Sequence, residues 1–366
     1  MKKLRIFCLP SHATKERTSG VDFARIIQPM EHLNGWKNEE YEIETYIYDA
    51  TKDERLDWLK VVSDFDMIYF NYTANPWAFA AMGAMARKLG VPMIMDFDDN
   101  LWNVQEDNPA YSVYKKGEIG LKNFTAIVNE VDAVTVTNQY LKNVCSHNSR
   151  KTLDKIKVFD NYIDLDLYKY PQEFKDDEKI ILTHFGSSTH YTDLQNKAFV
   201  DGVDRIMKDY PNANFLTVGS FIPLFRSKWG QRYQNEFGDI DLYKWVRNRF
   251  PEVMAKTDIC VVPLEENIYT KCKSAIKFLE MSSAKKPGVW QKIRQYNSVV
   301  DGENGLLAST SDEWYEAIKK LIENTELRKK MGENAYKTIV DKHQMKNNID
   351  GYANFFTEID KNQSKV

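Results

Sequence analysis

Apolar and polar positions alternate along this chain in two kinds of block. Compact runs of about four to eight mostly apolar residues read as buried strands, and longer stretches with apolar residues every three or four positions read as helices. In the first half the strand-like runs are 4–9, 42–48, 67–71, 93–96, 133–137 and 157–159, with helical patterns at 23–33, 53–63, 77–89, 118–131 and 138–143. A polar stretch at 167–179, carrying Pro171 and the charge cluster Lys175-Asp176-Asp177-Glu178-Lys179, reads as a linker. The pattern then restarts. Strands are expected at 180–185, 214–218, 259–263 and near 288–291, and helices at 194–209, 243–250, 274–283, 312–323 and 326–343. A last helix, 347–360, carries Tyr352, Phe355 and Phe356, an apolar stripe suited to crossing back onto the first domain.

Strands alternating with helices predict parallel sheets covered on both faces, the α/β class. The expected organisation is two Rossmann-like domains, 1–170 and 171–345, with 346–366 as a crossover helix and tail. Ligands of open α/β sheets sit at the carboxyl ends of the strands, so two such domains facing each other make one cleft.

Composition narrows the class. The chain has 366 residues, 43% hydrophobic and 28% charged, as in a globular protein with room for two domains of roughly 150–200 residues. A formal net charge of −3 does not mark a general nucleic-acid binder. No run approaches the roughly 18 apolar residues of a membrane span, so no stable membrane insertion is expected. Cys8, Cys145, Cys260 and Cys272 lack metal-ligand spacing and read as reduced thiols of a cytoplasmic protein.

The candidate chemistry clusters after the apolar run 258–264. Lys273, Lys277 and Glu280 lie four and three residues apart, so a helix starting near Lys273 presents them on one face. Two lysines, Ser274 and the free amides of a first helical turn suit a diphosphate, and a carboxylate one turn later suits ribose hydroxyls. The same spacing also fits an ordinary solvated face. Gly186, Ser187 and Ser188 follow the first strand of the second half and can present backbone amides to phosphate, with His190 and Asp193 just beyond.

In the first half, Gly20 opens a helix after the first strand and Arg25 lies one turn inside it, facing either the cleft or solvent. The strand at 93–96 runs into Asp96, Asp98 and Asp99. Three close carboxylates raise one another's proton affinity, which suits a base, although Asp and Asn also simply cap helices. Asp96-Phe97-Asp98 reads alternatively as an Asp-x-Asp metal site on a diphosphate. The lysines already supply positive charge, so no obligatory metal or other cofactor is expected. Residues 225–233, with Arg247 and Arg249, mix basic and aromatic groups that can contact phosphates and stack bases.

The second half resembles the donor domain of GT-B glycosyltransferases, closest to the retaining family-four (group 1) enzymes. The resemblance rests on residues 185–194, on Pro263-Leu264 through Lys273-Ser274 to Lys277 and Glu280, on 300–307, and on 312–317 with 327–335. It implies a nucleotide-diphosphate sugar donor held by Gly186, Ser187, Ser188, His190, Lys273, Ser274, Lys277 and Glu280. The family commonly carries two glutamates separated by seven residues. Here Glu280 takes the second place and Cys272 the first, which leaves the sugar open. In the first half, aligning Val91-Pro92 puts Asp98 and Asp99 where the family often has a His-Asp pair, and these are the expected catalytic residues. Gly20 and Arg25 match the family's acceptor or phosphate loop more loosely. The implied reaction is sugar transfer with retention to a hydroxyl of a glycan or glycoconjugate. The alternatives are a hydroxymethylated base in DNA as acceptor, or a nucleotide-sugar binding protein without transfer activity.

Overall fold

The computed structural model describes residues 1–11, 19–49, 57–72, 76–168, 178–186, 190–237 and 244–363, the side chains of 76–78 excepted. Most of the expected linker, the starts of the expected helices at 53 and 243, and both Ser187 and Ser188 lie outside the described residues.

Among the described residues twelve strands form two parallel six-stranded sheets. The first contains β1 (Lys2–Leu9), β2 (Tyr41–Ile47), β3 (Met67–Asn71), β4 (Met93–Phe97), β5 (Ala133–Val136) and β6 (Ile156–Val158), in the order β2-β1-β3-β4-β5-β6. The second contains β7 (Ile180–Gly186), β8 (Ala213–Gly219), β9 (Tyr233–Glu236), β10 (Ile259–Val262), β11 (Gly288–Gln291) and β12 (Leu306–Ala308), in the order β12-β11-β10-β7-β8-β9. Strands β3, β4, β5 and β10 are buried at every position, because helices cover both faces. That is why they read as unbroken apolar runs rather than alternating ones. From β7 the chain winds outward through β8 and β9, then returns to place β10 on the other side of β7. This reversal opens a crevice between the carboxyl ends of β7 and β10, where an α/β sheet binds its ligand.

The helix over 20–33 is pinned at its start. The Ser19 hydroxyl accepts from the Asp22 amide (3.1 Å), while the Asp22 carboxylate accepts from Ser11 N (2.7 Å) and Asn71 Nδ2 (3.2 Å). One π turn, Phe23–Ile27, interrupts it, with Gln28 N donating to the carbonyl of Phe23. Within that turn Arg25 points inward. Its Nε and Nη2 meet the two Asp96 oxygens at 3.0 and 2.9 Å, and its Nη1 donates to Phe159 O (2.7 Å) and Asn161 Oδ1 (2.9 Å). Arg25 and Asp96 are both 0% exposed. The expectation that Arg25 serves the phosphate loop is therefore corrected. A fully desolvated guanidinium is held where a carboxylate and carbonyls satisfy it.

The helix Met345–Gln363 packs on the first domain. Tyr352 stacks on Phe159 with ring centroids 3.9 Å apart, Phe356 meets Tyr69 edge-on at 5.3 Å, and Asp360 accepts from Lys2 Nζ (2.7 Å) and Tyr41 Oη (2.9 Å). Tyr352 and Phe356 are fully buried, each worth about 1.5–3 kcal/mol of apolar burial. Exchange also runs at the cleft. Tyr269 and Cys272, from the segment after β10, join the first domain's core, and Phe23 joins the second domain's. Asn138 couples the two: its Oδ1 caps its own helix at Leu141 N (2.9 Å), and its Nδ2 donates to Cys272 O (2.6 Å). The free thiols Cys8, Cys145, Cys260 and Cys272 are all buried. No helix among the described residues is long and apolar enough to cross a membrane.

The basic and aromatic stretch 225–233 does not form a stacking surface. Phe225, Trp229 and Tyr233 are core residues of the second domain, and Lys228 pairs with Asp204. Their rings are spent on packing and are not free to stack bases.

Candidate active site

A cavity of about 650 Å³ lies where the carboxyl ends of the two sheets face each other. Its lining includes the apolar Phe185, Val218, Trp245 and Ile276 and the polar or charged His190, Lys273, Lys277, Asp98 and Asp99. Gly20, Gly186, Ser274 and Glu280 also line it, so the sequence-predicted groups converge from segments far apart in the chain. Among the described candidates Arg25 is the exception.

Lys273 does not sit on the helix. A 3-10 turn, Thr270–Cys272, ends in an extended Lys273 (φ −68°, ψ 153°), and the α-helix runs Ile276–Ser283. Asn138 holds the carbonyls of Cys272 and Lys273 and so delays the helix. Lys273 reaches the site from this loop, its Nζ 3.4 Å from Asp99 Oδ1. Burial opposes its charge, yet Asp99 and Asp98 outweigh that and raise its pKa. Lys277, the second residue of the helix, is lowered to about 8, first by burial and then by Lys273. Its Nζ lies 2.7 Å from His190 Nε2. Ser274 accepts from Asn161 Nδ2 at 2.7 Å. Glu280 accepts from Tyr168 Oη at 3.3 Å, and burial raises its pKa.

The three carboxylates after β4 separate into different roles. Asp96, buried within the strand, accepts from Arg25, from Tyr69 Oη (3.1 Å) and from Thr135 Oγ1 (2.5 Å). Both its oxygens are committed, which removes it from an Asp-x-Asp metal pair. Among the described residues no group of three or more His, Cys, Asp and Glu side chains is placed to hold a metal ion. Asp99 accepts from Tyr269 Oη (2.8 Å) as well as Lys273. Asp98 lines the cavity with its Oδ1 buried and unpaired among the described residues, and burial, then Asp99, pushes its pKa up to about 7. A carboxyl poised near neutrality beside a fixed lysine is suited to proton exchange with a hydroxyl.

Gly186 and Gly219 are register partners at the ends of β7 and β8. Gly219 adopts φ +106°, and a Cβ there would lie 2.2 Å from the Gly186 carbonyl oxygen. Two causes therefore require glycine, backbone conformation and close approach. Gly219→Ala is expected to cost roughly 2–4 kcal/mol, checked by urea unfolding. Sequence reasoning passed over this residue, although a glycine ending the strand after Gly186 was the available signal. It also passed over Tyr168 and Tyr269, which no local pattern marks.

Residues 180–324 match the family described as Glycosyl transferases group 1. No curated protein matches the sequence. Among solved structures, HepE from Anabaena in complex with UDP and glucose is 14% identical, with a TM-score of 0.64 over 97% of this chain and 99% of that one. Sucrose-phosphate synthase from Thermosynechococcus elongatus gives 14% and 0.64 over 97% and 99%. A glycosyltransferase from Rickettsia africae ESF-5 gives 13% and 0.65 over 98% and 99%. The fold is GT-B, two Rossmann-like domains around a central cleft. Residues 180–324, most of the second domain, are similar to the glycosyl transferases group 1 family, and the likeness to the solved structures shows the fold of the whole chain.

Proposed function

We propose that the protein transfers a sugar from a nucleotide-diphosphate sugar to a hydroxyl of a glycan or glycoconjugate, with retention. The observation that carries this is the convergence of Lys273, Lys277 and Glu280 in one cavity at the crevice between β7 and β10. The nucleobase packs on apolar lining residues such as Phe185 and Trp245, Glu280 takes ribose hydroxyls, and the lysines with the Ser274 hydroxyl take the diphosphate. Gly186 lets the backbone come close to it, and Gly20 does the same from the first domain, where a Cβ would meet nothing within 4 Å. Negative charge building on the departing phosphate is met by ammonium groups already in position.

Asp98 contacts the acceptor hydroxyl, and Asp99 holds Lys273. Attack on the face the phosphate leaves is the route adopted. Asp99 is tied to Tyr269 and Lys273 and is a poor nucleophile, and Asp98 is partly protonated near neutral pH. Because HepE binds UDP, uridine diphosphate sugars are the first donors to test.

Thermal shifts against a panel of nucleotide diphosphates and their sugars are expected to single out one base, equally with and without EDTA. A shift abolished by EDTA would replace the lysine assignment with a metal. Glu280→Ala is expected to weaken binding of the selected nucleotide about 10–100-fold, since a carboxylate hydrogen bond contributes roughly 1.5–3 kcal/mol. Unchanged affinity by calorimetry would remove Glu280 from the ribose.

A further inference from the structure

Three buried groups form a chain that ends at the proposed diphosphate. Asp193 is 4% exposed, in a 3-10 turn beyond β7. Its Oδ1 accepts from the backbone amide of Glu265, in the segment after β10, at 2.9 Å. Its Oδ2 lies 2.8 Å from His190 Nδ1. A carboxylate held this way only accepts, so the imidazole proton sits on Nδ1 and Nε2 presents a lone pair. That lone pair faces Lys277 Nζ at 2.7 Å, and the lysine is the donor. Gly186 makes room for the pair, since a Cβ there would lie 3.0 Å from His190 Cδ2 and 3.3 Å from Lys277 Cε.

We infer that Asp193 and His190 are positioning residues for Lys277: the carboxylate fixes the imidazole tautomer, and the imidazole engages one N–H of the amine and aims the rest at the diphosphate. This rests on the proposed function, which brings the diphosphate to Lys277. It changes the role expected of His190, from a direct ligand of the donor to the support of one.

The charges facing Lys277 come from every side of the site. Lys273 and Glu280 belong to its own segment, Asp193, His190 and His184 to the β7 side, and Asp98 and Asp99 to the first domain. Burial, then Lys277 and Lys273, holds His190 well below its ordinary pKa, so it remains a neutral acceptor. His184 faces the same lysine as a second neutral ring. Its Nδ1 is 3.0 Å from Val261 O, and its Nε2 has no hydrogen-bond partner among the described residues. With Lys277 lowered to about 8, an arriving diphosphate restores its charge, and binding above that pH takes up a proton.

The test is Asp193→Asn in the full chain. The Glu265 amide still needs an acceptor, so the new amide oxygen takes it and the NH2 turns to His190 Nδ1. The imidazole proton is then forced onto Nε2, against Lys277. Trace acetylation of Lys277 followed by mass spectrometry from pH 6 to 10 reads its titration midpoint. In Asp193→Asn it is expected to fall by about one unit relative to the parent. His190→Phe should move it too, whereas His190→Gln, whose amide oxygen can take the place of Nε2, should restore it. Midpoints of His190→Phe and Asp193→Asn equal to the parent's, in chains with native circular dichroism, would overturn the inference. If Asp193→Asn does not fold, the His190→Phe and His190→Gln pair decides. Saturating UDP should raise the parent's midpoint. Failure of that arm alone would remove the diphosphate from Lys277 and leave the relay standing.

Discussion

Replacing Arg25 with methionine is expected to destabilise the protein by about 3–5 kcal/mol, the usual consequence of leaving one member of a buried ion pair alone. Asp96 would keep Tyr69 and Thr135 but lose both guanidinium contacts, at a position with no access to water. Two acceptors would lose a donor as well, the Phe159 carbonyl and the Asn161 side chain. Asn161 is the residue that donates to Ser274, so the damage reaches the cleft. The double change Arg25→Met with Asp96→Leu should recover most of the loss, because the orphaned carboxylate goes with its partner. Urea unfolding of the three chains checks this. A single variant within about 1 kcal/mol of the parent would show that the pair is not the anchor described.

Asp98→Asn is expected to cut turnover by about 10²–10⁴-fold, the span of a lost general acid or base, while nucleotide affinity stays within about twofold. With Asp98 at about 7, the parent's rate should rise with pH through that value as the carboxylate ionises, and the variant should lack this limb. The stability sign is opposite. The folded pKa lies above the unfolded value, so the stabilising contribution is present in acid and lost as pH rises through about 7. The variant should therefore melt higher than the parent above pH 7 while turning over more slowly. Steady-state rates and melting curves from pH 5 to 9 measure both. Parental turnover would remove Asp98 from the reaction.

The sequence was most legible where burial is complete. Strands β3, β4 and β10 appear as apolar runs because both faces are covered, and their bounds were read to within about a residue. Strands β9 and β12 were missed. Tyr233–Glu236 carries Gln234, Asn235 and Glu236 and so has no apolar run, and Leu306–Ala308 is apolar but only three residues long. Lys277 and Glu280 were legible through helical spacing. Lys273 was expected on the helix but reaches the cavity from the loop before it, because the contact at that loop comes from Asn138, 135 residues earlier. Arg25 and Asp96 were misread since a charge after a turn looks the same in sequence whether it meets water or another charge 71 residues away. Tyr168 and Tyr269 reach the cleft only through tertiary structure.

The position of the helix Met345–Gln363 bears on how the chain acquires its structure during synthesis. Tyr352 and Phe356 complete the apolar face behind β1 and β3, yet they leave the ribosome only after the whole second domain has been made. A nascent first domain thus emerges with Tyr69 and Phe159 uncovered and Lys2 without its partner. The second domain, whose sheet draws on residues 180–308, can condense first despite being translated later. Closure of the first domain thus awaits residues 345–363, and until they arrive the uncovered face is an apolar surface of the kind a holdase binds.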